Sequence, residues 1–362
     1  MFMKKLLSIL TALLLVTGFI LPARAMSIDE GIDNLRALWS RGIGPEVNGQ
    51  AIDYSYYSPV ANGASRAKKY PLAIIMAGAL EGIVEGYELT ANGLATWTAD
   101  EYQSKFHNGG TFLLIGRAPE ENYHYWDSKS MAISFKAAID DFVKSNPNVD
   151  TNRIYTIGWC LGGAGSLHLA TMYPDFFAAT MIMCPSRDIT PGEAQILKDK
   201  PVWLMGCKKD TYVSYTRVVL KSWYNLKKAA NDKSKIRFTS YNEAPGVTLA
   251  ETFPFIQNHD MWTNVAYDMR SDRPEYKGEK TINGNGDRIF SPSVIKWLNA
   301  AELDKNADTS GKLPSGAYLF YYDILKDRTR DMLMKVILNF LNDFGYIDLP
   351  ENYQFKKLIN SR

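Results

Sequence analysis

Apolar residues along this chain fall into short unbroken runs, separated by longer stretches with helical spacing. The runs are "YPLAIIMAG" from Tyr70, "GTFLLIG" from Gly110, "RIYTIG" from Arg153, "AATMIMC" from Ala178, "PVWLMG" from Pro201 and "IRFTSY" from Ile236. "YPLAIIMAG" is a continuous apolar run, which predicts a strand buried on both faces, as in a parallel sheet, and the other five are similar to it. "YSYYSP" from Tyr54 alternates instead, which predicts a half-exposed strand that Pro59 stops. Between the runs, "SMAISFKAAIDDFVKSN" (130–146) and "TRVVLKSWYNLKKAAND" (216–232) carry a helical period. Strands alternating with helices predict an α/β protein, a three-layer αβα sandwich around a mostly parallel sheet.

In such sheets chemistry collects at the carboxyl ends of the strands. The segments at those ends are "GALEG", "RAPEENYHYWD", "WCLGG" and "CKKD", and the last run leads into a long loop ending in "QNHDMW". Cys160 lies in "GWCLGG", a G-x-C-x-G turn between a strand and the helical pattern "GAGSLHLATMYP". This is the spacing of a nucleophile elbow, with cysteine where serine is usual. The amino end of a helix beside the sulfur is a setting in which thiols become reactive. Of four histidines, His107 precedes a strand and His168 lies on the helix after the elbow. His124 stands at the active edge but upstream of the nucleophile, where it is expected to line a cleft. His259 comes after the last strand and is the expected base. Asp210 is the expected acid, accepting Nδ1–H of His259; Asp260 is a rival, but adjacent side chains diverge. The order Cys160, Asp210, His259 is nucleophile, acid, histidine. Main-chain N–H groups of Leu161 and Ala79 are expected to form the oxyanion hole. Trp126, Trp159 and Trp262 join His124 as expected lining of a substrate cleft.

The 362 residues are 46% hydrophobic, with a formal net charge of +2. That describes a globular chain with no electrostatic footprint for nucleic acid. Histidines are too few and scattered for a metal site, and no phosphate-cradling glycine loop is present, so neither metal nor organic cofactor is expected. Lys4 and Lys5 precede the apolar run "LLSILTALLLVTGFILP", and "ARA" closes it. Residues 1–25 therefore read as a signal peptide, which implies a secreted or periplasmic protein with no stable membrane insertion after cleavage. An uncleaved anchor is the alternative. Three cysteines are an odd number, so at least one thiol is left over from internal pairing. Cys184 and Cys207 read as strand ends, consistent with plain packing.

Taken together, "IDYSYYSP", "KYPLAIIMAGALEG", "RIYTIGWCLGGAGSLHLATMYPDFFAATMIMCP", "PVWLMGCKKD" and "NHDMWTNVAYD" resemble a secreted branch of the α/β-hydrolase superfamily, the polyhydroxybutyrate-depolymerase and feruloyl-esterase-like group. The resemblance runs from about Tyr54 to Tyr267, with an echo at "SPSVIKWLNA" (291–300). It implies Cys160 as nucleophile, Asp210 as acid and His259 as base. The elbow is similar to that of dienelactone hydrolases, whose triad is Cys-His-Asp. The His-Gly pair that usually opens the oxyanion loop is Ala77-Gly78 here. The expected organisation is a hydrolase domain over 26–304, with an insertion or flap at 268–290, and a helical extension over 305–362. The expected activity is cleavage of an ester, lactone or thioester, on a small molecule or a polymer, through an acyl-cysteine. Two alternatives stay open: a non-catalytic binding protein on this fold, and a peptidase or amidase using the same triad.

Overall fold

The computed structural model describes residues 37–79, 94–117, 125–244, 258–269 and 278–303. All of these belong to the first of the two units into which the chain divides, Met1–Ala307. The expected leader (1–25), His124 and the expected helical extension (305–362) lie outside the described residues.

Every one of the six apolar runs forms a strand. They are β3 (Tyr70–Met76), β4 (Phe112–Arg117), β5 (Val149–Trp159), β6 (Ala179–Met183), β7 (Val202–Cys207) and β8 (Ile236–Tyr241). Every residue of β3, β6 and β7 is buried, so both faces of the sheet are covered, the consequence of runs that are apolar without alternation. The alternating segment forms β2 (Asp53–Tyr57), antiparallel between β1 (Trp39–Ile43) and β4. The sheet order is β1-β2-β4-β3-β5-β6-β7-β8-β9-β10, and the six central strands from β4 to β8 pair in parallel. β1, "WSRGI", carries no strand signal in the sequence, because an exposed edge strand needs no apolar period.

Helices fill the crossovers. They are α1 (Lys129–Ser145), α2 (Leu161–Met172), α3 (Pro191–Ile196) and α4 (Lys221–Ala229), followed by α5 (Trp262–Ala266) and α6 (Val294–Ala300). The architecture is the three-layer αβα sandwich around a mostly parallel sheet. The helix expected over 216–232 is instead composite: Tyr215–Leu220 winds as a π-helix, and only then does α4 begin. The structure also describes part of the expected insertion or flap at 268–290. Its described part pairs into the sheet, with β9 (Lys280–Asn283) antiparallel to β8 and β10 (Arg288–Ile289) beyond it. Thr281 explains the pairing, since its hydroxyl lies 2.8 Å from that of Thr239 on β8 in a buried pair. Strands β5, β6 and β7 end side by side, so Cys160, Cys184 and the loop after Cys207 emerge at one edge.

Candidate active site

Cys160 stands between β5 and α2 with φ 54° and ψ −120°, a conformation L-residues rarely adopt. The chain reverses there within a single residue, and glycine makes the reversal fit. A Cβ on Gly158 would strike the carbonyl of Gly162, and one on Gly162 would strike the carbonyls of Met76 and Ala77. The turn is tied down by Cys160 N–H to the Met183 carbonyl at 3.1 Å and by Ser186 N–H to the Cys160 carbonyl at 2.9 Å. Cys160 remains half-buried, whereas Cys184 and Cys207 are buried, and all three are free thiols.

Leu161 opens α2, and the first N–H groups of a helix have no acceptor within it. Ala79 lies three residues beyond β3. The contact that excludes a side chain at Gly162 brings the elbow against the end of β3, so both expected oxyanion donors belong to segments that touch.

The structure brings Asp210 and His259 together. Nδ1 of His259 lies 2.8 Å from Oδ2 of Asp210. The other oxygen, Oδ1, accepts the N–H groups of Tyr212 at 2.8 Å and Val213 at 3.0 Å. With both oxygens engaged, the carboxylate has one orientation, and it fixes the ring tautomer. Asp260 does other work: its Oδ1 accepts the hydroxyl of Thr263 in the first turn of α5 at 2.8 Å. Burial disfavours a charged ring at His259. The Asp210 carboxylate, aided by Cys184, Cys160 and the Nδ1 hydrogen bond, outweighs it and holds His259 well above the usual imidazole range. Nε2 is buried without a hydrogen-bond partner among the described residues.

Three expected cleft residues are placed differently. Trp126, Trp159 and Trp262 are 0%, 1% and 4% exposed, closed inside the protein rather than lining an open wall. Trp126 packs its ring 4.9 Å from that of Phe135 on α1. Trp159 stacks on Trp262 at 5.3 Å, and Trp262 meets the ring of His259 edge-on at 5.7 Å. Trp262 in α5, backed by Trp159 at the end of β5, is the indole against which the histidine ring packs.

Other residues at the site carried no sequence signal. Tyr212 places its ring 5.4 Å from that of His259, and burial pushes its phenol up to about 12, so it stays protonated. Cys184 Sγ, an Asp210 oxygen and a ring nitrogen of His259 all lie within 4.8 Å of one another. Zinc uses such donors, yet here each is engaged internally, the thiol toward the His259 carbonyl and the ring toward Asp210. Behind the elbow, Arg187 is held by Glu193 at 2.7 Å and Asp127 at 3.5 Å, with Nδ1 of His168 at 3.4 Å. His168 is therefore a buried structural residue.

Residues 118–245 match the dienelactone hydrolase family. A stretch of 118 residues is 30% identical to Lipase 1 of Moraxella sp. (strain TA144), covering 32% of this chain and 34% of the lipase. The chain thus aligns with about a third of that relative's length. A crystal structure of a thermostable esterase superposes with a TM-score of 0.54 and 22% identity, covering 65% of this chain and 62% of the esterase. The chain has the α/β-hydrolase fold. The strand-turn-helix around Cys160 and the loops after β7 and β8 are the places at which that fold can carry a nucleophile, an acid and a base. Among the described residues no helix is long and apolar enough to cross a membrane.

Proposed function

We propose that this protein hydrolyses carboxylic esters, or reactive lactones and thioesters, through an acyl-cysteine formed on Cys160. The observation that carries the reading is the 2.8 Å bond from His259 Nδ1 to Asp210, on the same sheet edge as a cysteine in the strained elbow conformation. A packing cysteine has no need of that backbone, nor of an oriented imidazole beside it. Similarity to the dienelactone hydrolase family over 118–245 and to Lipase 1 supports ester chemistry. The order of the motifs favours the secreted polyhydroxybutyrate-depolymerase and feruloyl-esterase-like group, and the leader-like pattern of 1–25 favours export.

In this mechanism Nε2 of His259 takes the proton of the Cys160 thiol, the thiolate so formed attacks the ester carbonyl carbon, and the C=O electron pair moves onto oxygen. Leu161 and Ala79 N–H groups hold that oxyanion. Collapse expels the alkoxide, which takes the proton from Nε2 of the His259 imidazolium. Neutral His259 then removes a proton from water, and the resulting hydroxide attacks the acyl-cysteine. The acid leaves, and the thiolate and imidazolium are restored. A His259 held well above the usual range by Asp210 suits the step in which it must arrive protonated.

The test is a panel of aryl esters, thioesters and peptides, run with wild type and Cys160→Ala. Ester turnover in wild type that falls at least about 10³-fold in Cys160→Ala is expected. Turnover that survives full alkylation of Cys160 overturns the mechanism. Peptide cleavage without ester cleavage assigns the triad to amides, and ligand binding without turnover assigns the fold to binding alone.

A further inference from the structure

Cys184 follows β6, one residue beyond the register pair Trp159–Met183, and so sits beside the elbow. It is fully buried, takes a positive φ of 34°, and its N–H is fixed to the Met205 carbonyl of β7 at 3.0 Å. From there its thiol donates to the main-chain carbonyl of His259 at 3.4 Å. Its sulfur is also within 4.8 Å of both the Asp210 carboxylate and the His259 ring.

The turn that carries His259 is anchored through Asn258 and through its own main chain. Asn258 has φ 68°, and its Oδ1 accepts the Ala244 N–H at 3.0 Å and the Cys207 thiol at 3.9 Å. The His259 carbonyl accepts Met261 N–H at 3.0 Å and the Cys184 thiol. The Cys207 thiol lies nearer the Asn242 carbonyl, at 3.5 Å, than Asn258, so its single proton is not committed to this turn. Cys184 is the one that reaches the histidine itself.

We infer that Cys184 is a positioning residue: its S–H holds the main chain of His259 where Nδ1 meets Asp210. Burial pushes the Cys184 thiol up to about 12, so it remains a neutral donor and does not compete as a nucleophile. Cysteine suits the place because a thiol is small, is weakly hydrated when buried, and still donates. Among the described residues, the titratable groups facing His259 are Cys160 from the elbow, Cys184 just beyond β6, and Asp210 and Tyr212 from the loop after β7. The inference rests on the reading of Cys160, Asp210 and His259 as a triad, but its test reads the histidine directly.

The experiment compares wild type, Cys184→Ala and Cys184→Ser. The His259 imidazole is titrated by NMR without substrate, with its resonance assigned through His259→Asn among four histidines. Aryl-ester kcat and KM are measured alongside. In Cys184→Ala the histidine is expected to titrate closer to its ordinary value of about 6.5, with kcat down about 10-fold and KM unchanged. Cys184→Ser, which keeps a donor, is expected to restore both. An alanine variant with wild-type titration and kcat overturns the inference, as does a serine variant displaced as far as alanine. Should the alanine variant not fold, the infrared S–H band of Cys184, isolated as the wild-type minus Cys184→Ser difference, decides. A band at the free-thiol position overturns the inference, and one at the hydrogen-bonded position supports it. If the wild type hydrolyses no ester, the titration still reads the positioning role, so the two proposals fail separately.

Discussion

Cys160 keeps its unusual backbone because its neighbours leave no alternative. Gly158 and Gly162 approach carbonyl oxygens so closely that neither position accepts a side chain, and main-chain hydrogen bonds to Met183 and Ser186 clamp the turn from one side. Gly162→Ala must therefore push α2 away from the end of β3. The expected cost is about 1–3 kcal/mol of stability, as for other overpacked sites. A larger fall in kcat than in the fraction folded is also expected, because the Leu161 N–H moves with the helix. Urea unfolding beside ester kinetics checks this, and a variant with wild-type kcat would show that the oxyanion donor lies elsewhere. The glycines were legible in the sequence as a G-x-C-x-G turn; the collision that makes Gly162 obligatory was not, since Met76 and Ala77 lie over eighty positions away.

Strands and the loops at their carboxyl ends were the most legible elements. Short, mostly apolar runs separated by helical stretches admit few other readings, and all six form the parallel strands. What joins the loops at the sheet edge was not legible. Arg187 after β6, Asp127 before α1, His168 on α2 and Glu193 on α3 form one buried cluster drawn from four segments. Glu193 also closes a capping box with Thr190, and it is held below the usual carboxylate range: burial opposes this, but Arg187 outweighs it. Removing the guanidinium leaves two buried carboxylates uncompensated. Arg187→Leu is expected to lose about 3–5 kcal/mol, and Arg187→Leu with Glu193→Leu to recover part of that. Chemical denaturation of the three proteins measures it; a single variant as stable as wild type means the cluster is already solvated.

For the molecule as a whole, the His259–Asp210 pair ties stability to pH. The folded state holds the His259 proton more tightly than the unfolded chain, where imidazole titrates near about 6.5. Its contribution is therefore complete below about pH 6.5 and declines as pH rises through the raised folded value. Unfolding free energies of wild type and His259→Asn, compared from acid to alkaline pH, are expected to converge upward of neutrality; a difference that grows with pH contradicts the pair. His168, held below its ordinary range by burial and by Arg187, is common to both proteins and cancels. The sequence alone determined the αβα sheet and the sharp turn at Cys160, and it pointed to Asp210 and His259 as an expected pair, because each is written in local pattern or in order along the chain. Only tertiary structure decided that three tryptophans are closed inside, that residues 280–289 extend the sheet, and that Cys184 lies under the histidine. Those facts depend on which distant segments pack together, and burial and hydrogen bonding between them leave no periodic trace in either segment by itself.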